Sequence, residues 1–218
     1  MIHILEQNNS IVNRFLAELR DVEIQKDSMR FRRNLERVGE VLALEISKTM
    51  AYVSREIVTS LGMTEMMVPA EDPVLVTILR AGLPFHQGFL NYFDTAPSAF
   101  ISCYRKHTHG DDFEIKLEYA SCPDITGKTL ILTDPMLATG ASLLMTYREL
   151  KRFGIPEHVH IVSVIASQEG INFLRRNLPY NRVTLWTLAV DQELTAKSYI
   201  VPGLGDAGDL AYGKKTDF

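Results

Sequence analysis

Cysteine is scarce in this 218-residue chain: Cys103 and Cys122 are the only two, and they form no C-x-x-C pair. Two thiols without metal-ligand spacing exclude a disulfide scaffold and a structural zinc site, and they point to a reducing compartment. Long apolar stretches are missing as well. No run approaches the ~20 residues a membrane-spanning helix needs. The segment Met1 to Gln7 lacks the basic and apolar regions of a signal peptide. The expected location is the cytoplasm, with no membrane partner. Nor is there an excess of positive charge, since 23 Lys+Arg stand against 27 Asp+Glu for a net charge of -4. Nucleic-acid-binding domains are usually basic, so a DNA or RNA partner is disfavoured, and any anionic ligand must be held by local groups. Repeats, low-complexity tracts and linkers are absent, and residues 1–218 read as one domain. What remains is 46% apolar and 23% charged, an ordinary composition for a globular chain.

Ile11, Phe15, Leu16 and Leu19 recur at helical spacing, and Leu35, Val38, Leu42 and Ile46 do so between Met29 and Met50. The N-terminal part, about residues 10–50, is therefore expected to be helical. Arg30, Arg32, Arg33 and Arg37 crowd the second helix, interleaved with Glu36 and Glu40. That mixture suits a solvated face or a subunit contact better than a nucleic-acid patch.

Apolar, β-branched runs follow at Val74–Leu79, Ala99–Tyr104, Thr129–Thr133, Val159–Ile165 and Val183–Val190, with helical stretches between them. Strands buried on both faces and alternating with helices predict an α/β fold with a mostly parallel, doubly wound sheet. Two segments break the rhythm. Residues of about 105–128 are polar, with strict alternation from Phe113 to Tyr119, which predicts a projecting antiparallel β-hairpin arm. The tail from Tyr199 carries Gly203, Gly205, Gly208 and Gly213 and shows no helical period; glycine-rich loops of this kind are usually functional.

Thr129 to Ser142 carries the strongest chemical signal. A buried strand runs into Asp134, then a small-residue turn, then a helix start through Leu143, Leu144, Tyr147 and Leu150. In an open parallel sheet, ligands bind outside the carboxyl ends of the strands. Free backbone N–H groups and the helix dipole suit the Thr139–Ser142 turn to a phosphate, and Asp134 to sugar hydroxyls. The same residues also describe an ordinary βα loop with a hydroxyl N-cap. His107, His109, Asp111 and Asp112 suggest a metal site less well than a polar hairpin tip does. Pro202 to Gly208 lacks the G-x-G-x-x-G that opens a dinucleotide-binding helix.

The Asp134-Pro135-Met136-Leu137-Ala138-Thr139-Gly140 run resembles the diphosphoribosyl-binding loop of the type I phosphoribosyltransferases, in the Asp-Pro form of the uracil phosphoribosyltransferase family. Most of the superfamily has two adjacent acids there. Ile78 to Leu83 resembles that family's pyrophosphate loop, and Tyr199 to Asp209 its C-terminal uracil-recognition loop, expected at about 199–213. The three motifs stand in the family's order and span most of the chain. Two departures stand out: Ala141 replaces a second glycine, and Pro84-Phe85-His86-Gln87-Gly88 replaces the usual small residues followed by Asp-Gly. Ala141 is tolerable only where its φ is negative.

The resemblance implies transfer of a phosphoribosyl group from 5-phosphoribosyl 1-diphosphate to uracil, giving UMP and diphosphate in pyrimidine salvage. It implies that Arg80, Ala81, Gly82 and Arg105 bind the diphosphate. It assigns Asp134 to the ribose, and the run Pro135, Met136, Leu137, Ala138, Thr139, Gly140, Ala141 and Ser142 to the rest of the donor. Ile200, Gly205, Asp206 and Ala207 would read uracil, and Arg80, Arg105 and Asp206 form the expected catalytic set, Asp206 also touching the donor. It further implies Mg²⁺ held mainly by substrate oxygens, a homodimer or larger homo-oligomer, and GTP activation in some members, although the chain has no separate GTP motif. An RNA-binding pyrimidine regulator on the same fold and a transferase for another base are the alternative readings.

Overall fold

Burial on both faces decides which segments of this chain become strands of the central sheet. The computed structural model describes residues 1–107, 113–179 and 181–215, with backbone alone for 103–107 and 113–118. In chain order the elements are β1 (Ile2–Ile4), α1 (Val12–Arg20), α2 (Ser28–Ser47), β2 (Tyr52–Thr59), β3 (Gly62–Pro69), β4 (Val74–Leu79), α3 (Gly82–Leu90), β5 (Ser98–His107), β6 (Phe113–Ser121), β7 (Thr129–Thr133) and β8 (Met136–Leu137). They continue with α4 (Ala141–Leu150), β9 (His158–Ser167), α5 (Gln168–Asn177), β10 (Val183–Asp191), β11 (Glu193–Leu194), β12 (Ile200–Val201) and α6 (Ala207–Tyr212).

The main sheet runs β1-β10-β9-β7-β4-β5-β6, with β8 added beside β9. All its pairings are parallel except β5 with β6. Successive side chains of a strand point to opposite faces, so Ile131 packs with Leu35, Leu42, Phe85 and Leu188 on one side. Leu130 and Leu132 pack with Leu143, Tyr147 and Leu174 on the other. From β4 the chain moves outward through α3 to β5; from β7 it moves the opposite way to β9 and β10. The carboxyl ends of β4 and β7 therefore lie side by side at the point where the winding reverses, which is where open α/β sheets bind ligands.

The expected parallel sheet, N-terminal helices and antiparallel hairpin are all present. The hairpin is formed by β5 and β6, and it closes an edge of the sheet. Two features depart from the sequence reading. A second hairpin, β2 with β3, has a register from Tyr52↔Pro69 to Thr59↔Gly62 and was not expected. Its residues are largely exposed, so burial supplies none of the alternating pattern by which a strand is recognised. The glycine-rich tail also contains a helix, α6, where no helical period is visible. Six residues are too few to show a period, and a cap supplied by Asp206 starts the helix instead. Among the described residues, no helix is long and apolar enough to cross a membrane.

At the amino ends of the strands, His3 stacks on Trp186 with ring centroids 4.0 Å apart. Trp186 Nε1 donates to His160 Nδ1 at 3.0 Å. Burial, reinforced by His158 and His3, pushes His160 down to about 3, and burial pushes His86 down to about 4. Both are neutral in the fold, whereas the unfolded chain protonates them below about 6.5. The unfolded state thus binds more protons between these values, so stability is full above pH 6.5 and lost as pH falls toward 4. Thermal melts from pH 7 to 4.5 should show this decline, with a shallower slope in a folded His86→Gln/His160→Asn variant. An unchanged slope would remove both histidines as its source.

Candidate active site

β4 delivers Arg80 to the carboxyl edge of the sheet, and Ala81 turns directly into α3. The Leu79–Arg80 peptide is cis. Gly82 sits so close to the strand that an added Cβ would lie 2.1 Å from Thr77 Oγ1. Thr77 Oγ1 is buried beneath this turn and has no hydrogen-bond partner among the described residues. Pro84 falls in the first turn of α3, where proline removes no helical hydrogen bond. His86 lies inside the same helix, its Nε2 3.2 Å from Ser98 Oγ. The departure around His86 is thus absorbed into packing, and the turn at 80–82 is intact.

β7 delivers Asp134 one strand away. Its backbone N–H donates to Val162 O, and its Oδ1 accepts from Met136 N–H at 3.4 Å. Pro135 has no N–H, but its carbonyl accepts from Val164 and Ile165. Met136 and Leu137 form β8 against β9. Ala138 O accepts from Ser167 Oγ at 2.6 Å, which ties the loop to the cap of α5. Thr139 Oγ1 accepts from Ala141 N–H at 3.4 Å. Gly140 takes φ +81 and leads into α4, whose N-terminus has neither a side-chain cap from Gly140 nor an acid in the first turn. Among the described residues Ser198 is the one non-glycine with positive φ, so Ala141 and Ser142 enter the helix normally. The replaced glycine is harmless because the left-handed position is Gly140. A helix N-terminus with no carboxylate in its first turn is electrostatically suited to an anion.

The C-terminal loop starts at β12 and ends at α6. Ile200, Leu204 and Ala207 are buried, while Gly205 takes φ +88. The side chains of Ile200, Leu204 and Ala207 point into the core, while Tyr199, Val201, Pro202 and Gly205 are exposed. Asp206 Oδ1 accepts from Asp209 N–H at 3.0 Å and so caps α6. Asp209 in turn reaches Arg80, Nη2 to Oδ1 at 3.1 Å, and Arg80 Nη1 lies 3.4 Å from Gly213 O. The turn after β4 and the C-terminal loop thus meet through an ion pair that the sequence did not reveal.

The N-terminal arginines are occupied within the fold. Arg30 and Arg14 pair with Glu18, whose carboxyl is pulled down to about 2, chiefly by the Arg30 hydrogen bonds. Arg33 pairs with Glu36. Arg32 donates to Ala211 O and lies over the Tyr212 ring, while Arg37 donates to Asn34 and covers Phe15. Arg105 pairs by backbone with Ile115 across β5 and β6; its side chain lies outside the described residues. Of the candidate metal cluster, His107 is described by backbone alone, and His109, Asp111 and Asp112 at the tip of the arm lie outside the described residues. Among the described residues, no group of three or more His, Cys, Asp or Glu could hold a metal. The carboxylate directly after β7 is Asp134 alone, which fits a cation carried mainly by a ligand's own oxygens.

Residues 6–214 match the family described as uracil phosphoribosyltransferase. The chain is 55% identical to the uracil phosphoribosyltransferase of Porphyromonas gingivalis over 215 residues, 99% of each chain. It is 36% identical to that of Pyrococcus furiosus over 211 residues, 95% of this chain and 88% of the relative. A solved structure of a protein from Aquifex aeolicus superimposes with a TM-score of 0.86 at 30% identity, covering 98% of both chains. An adenine phosphoribosyl transferase from Trypanosoma brucei shares the fold at a TM-score of 0.55 and 10% identity, covering 90% of this chain and 87% of that one.

Gly140→Ala should lower stability by about 1–2 kcal/mol, because a side chain at left-handed φ is strained. Ala141→Gly, although it restores the family's usual residue, should also destabilise, by up to about 1 kcal/mol, since glycine is a poor helix former. Urea denaturation reads both changes; a stabilised Ala141→Gly would contradict the helical conformation at that position.

Proposed function

Because the chain belongs to the uracil phosphoribosyltransferase family, we propose that it transfers the 5-phosphoribosyl group of 5-phosphoribosyl 1-diphosphate to uracil, as a cytoplasmic salvage enzyme making UMP and diphosphate. One observation carries the reading: the acid-free N-terminus of α4, entered through Gly140 with a single weak hydroxyl contact from Thr139, follows β7, one strand from the turn at Arg80 after β4. A phosphate at α4, a ribose at Asp134 and a diphosphate at Arg80 give a single donor three anchors in the order of its own groups. We assign the 5-phosphate to Ala138–Ser142 and the ribose hydroxyls to Asp134. The diphosphate goes to Arg80, Arg105 and the backbone of Ala81 and Gly82. Ile200, Gly205, Asp206 and Ala207 take uracil.

The reaction breaks the bond between the anomeric carbon and the diphosphate oxygen and forms one from that carbon to uracil N1, which gives up its proton. Such centres react through an oxocarbenium-like state. Positioning and charge stabilisation are then the protein's main contributions. A planar guanidinium matches two diphosphate oxygens at once. To reach them, Arg80 exchanges Asp209 for the donor. Mg²⁺ bound to donor oxygens would neutralise part of the diphosphate charge, with Asp134 the nearby protein oxygen donor. Asp206 is the one carboxylate of residues 202–206, and we assign it the N1 proton while its cap on α6 fixes the loop. Main-chain N–H and C=O groups match uracil's alternating acceptors and donors. A base with an amine in place of O4 would leave a group unpaired, at about 1–3 kcal/mol.

Engagement of the N-terminal arginines within the fold disfavours the RNA-binding alternative. The β2–β3 hairpin exposes Val53, Val58, Leu61, Met63, Met66 and Met67. Isolated two-stranded hairpins are marginal in water, so we propose that this arm packs on a second copy in a homo-oligomer.

Pyrophosphate release with a panel of bases tests the reading, and uracil should be preferred; release driven better by another base would replace it. Adding GTP to the same assay reads the effector expected for some members. Arg80→Ala should lower turnover about 10²-fold in a folded protein, the scale of losing one transition-state donor. Asp134→Asn should weaken the donor more than uracil, and equal weakening would contradict its assignment. Sedimentation of a Leu61→Asp variant should show a smaller assembly than the parent protein.

A further inference from the structure

The loop assigned to uracil is held at both ends by its own neighbours: β12 pairs with β11, and Asp206 caps α6. Between these anchors, residues 202–205 must keep a set path through Gly203 at φ +62 and Gly205 at φ +88. An added Cβ at Gly203 would lie 2.1 Å from Ile200 O, so the turn is tight. Among the described residues, the hydrogen bonds reaching the backbone of 202–205 come from two side chains. Asp191 Oδ2 accepts from Gly203 N–H at 3.0 Å, and Arg20 Nη1 donates to Gly203 O at 3.0 Å. The same two side chains form a fork-to-fork pair, Nη1 to Oδ2 at 2.8 Å and Nη2 to Oδ1 at 2.9 Å. Asp191 is 7% exposed and Arg20 22%.

Asp191 is the last residue of β10, and Arg20 the last of α1. Strand, helix and loop therefore converge on one peptide unit, with both its N–H and its C=O engaged. We propose that Arg20 and Asp191 are positioning residues for base recognition: they clamp Gly203 so that the main-chain groups of Gly205 to Ala207 stand in register with the uracil edge. This rests on the uracil assignment above. Main-chain readout makes the register depend on how the backbone is held; the Asp206 cap fixes one end, and the clamp on Gly203 fixes the stretch before it from beneath. The donor's anchors at Arg80, Asp134 and α4 lie on other elements, and Arg80 leaves its one carboxylate partner on the C-terminal segment, Asp209, when it takes the donor, so the clamp bears on them less than on uracil.

Its loss should therefore separate the two substrates. Arg20→Ala and Asp191→Asn should raise the uracil KM by about 10- to 100-fold, the effect of mispairing one buried hydrogen-bonding group, with the donor KM changed less than about twofold. Discrimination between uracil and cytosine should narrow in parallel. Arg20→Lys keeps a charge beside Asp191, and so the fold, but cannot hold the carboxylate and Gly203 together; it should fall between the parent and Arg20→Ala. Wild-type protein without uracil-dependent pyrophosphate release would overturn the proposed activity itself. With that activity present, an unchanged uracil KM in folded Arg20→Lys and Asp191→Asn, or equal rises for both substrates, would overturn the clamp alone.

Discussion

Everything at the proposed site follows from one constraint: β4 and β7 are buried on both faces, so their chemistry can emerge only at their ends. Parallel pairing brings their carboxyl ends to the same edge, and the reversal of winding between them opens a crevice there. Arg80 and Asp134 are placed by this geometry before any side-chain interaction between them is considered. The two turns then differ in what they offer. After β4 the backbone is pressed onto Thr77 at Gly82, whereas after β7 it swings through Gly140 to present the start of α4. A turn bearing Arg80 and an acid-free helix start thus follow neighbouring strands, an arrangement that suits a ligand carrying phosphate at both ends.

What the sequence made legible is what neighbouring residues encode. Thr129 to Ser142 reads as strand, acid, turn and helix because each element lies next to the other in the chain. Residue types alone placed β4, β7, β9 and β10 nearly to their ends. The interactions of Arg80 with Asp209 and of Arg20 with Asp191 were not legible, since the partners lie 129 and 171 residues apart. No local period records such a pairing. The β2–β3 hairpin escaped for a different reason: its residues are exposed on both sides, so the pattern that burial stamps on a strand is missing there. α6 escaped because it is short and glycine-bearing, and its start depends on the Asp206 cap.

The N-terminal helices gain a meaning from these contacts that their composition did not suggest. Their arginines resemble a basic patch, yet Arg30, Arg33 and Arg37 are spent on neighbours within the helical layer. Arg20 and Arg32 instead reach across to the last stretch of the chain, at Gly203 and Ala211. The beginning of the polypeptide thereby braces its end, and both lie over the same face of the sheet as Leu188 and Leu204.

Base recognition by the C-terminal loop, as proposed above, has an evolutionary corollary. If its outer surface is peptide backbone, point mutation cannot exchange the contacting groups, because every residue except proline presents the same N–H and C=O. Drift toward a different base would have to proceed by shifting the path of the chain, through its glycines or the residues that brace it from below. The conservatism of such a surface would then reflect the lack of an alternative chemistry within reach of a single codon, and selection for new preferences would register first at sites remote from the ligand.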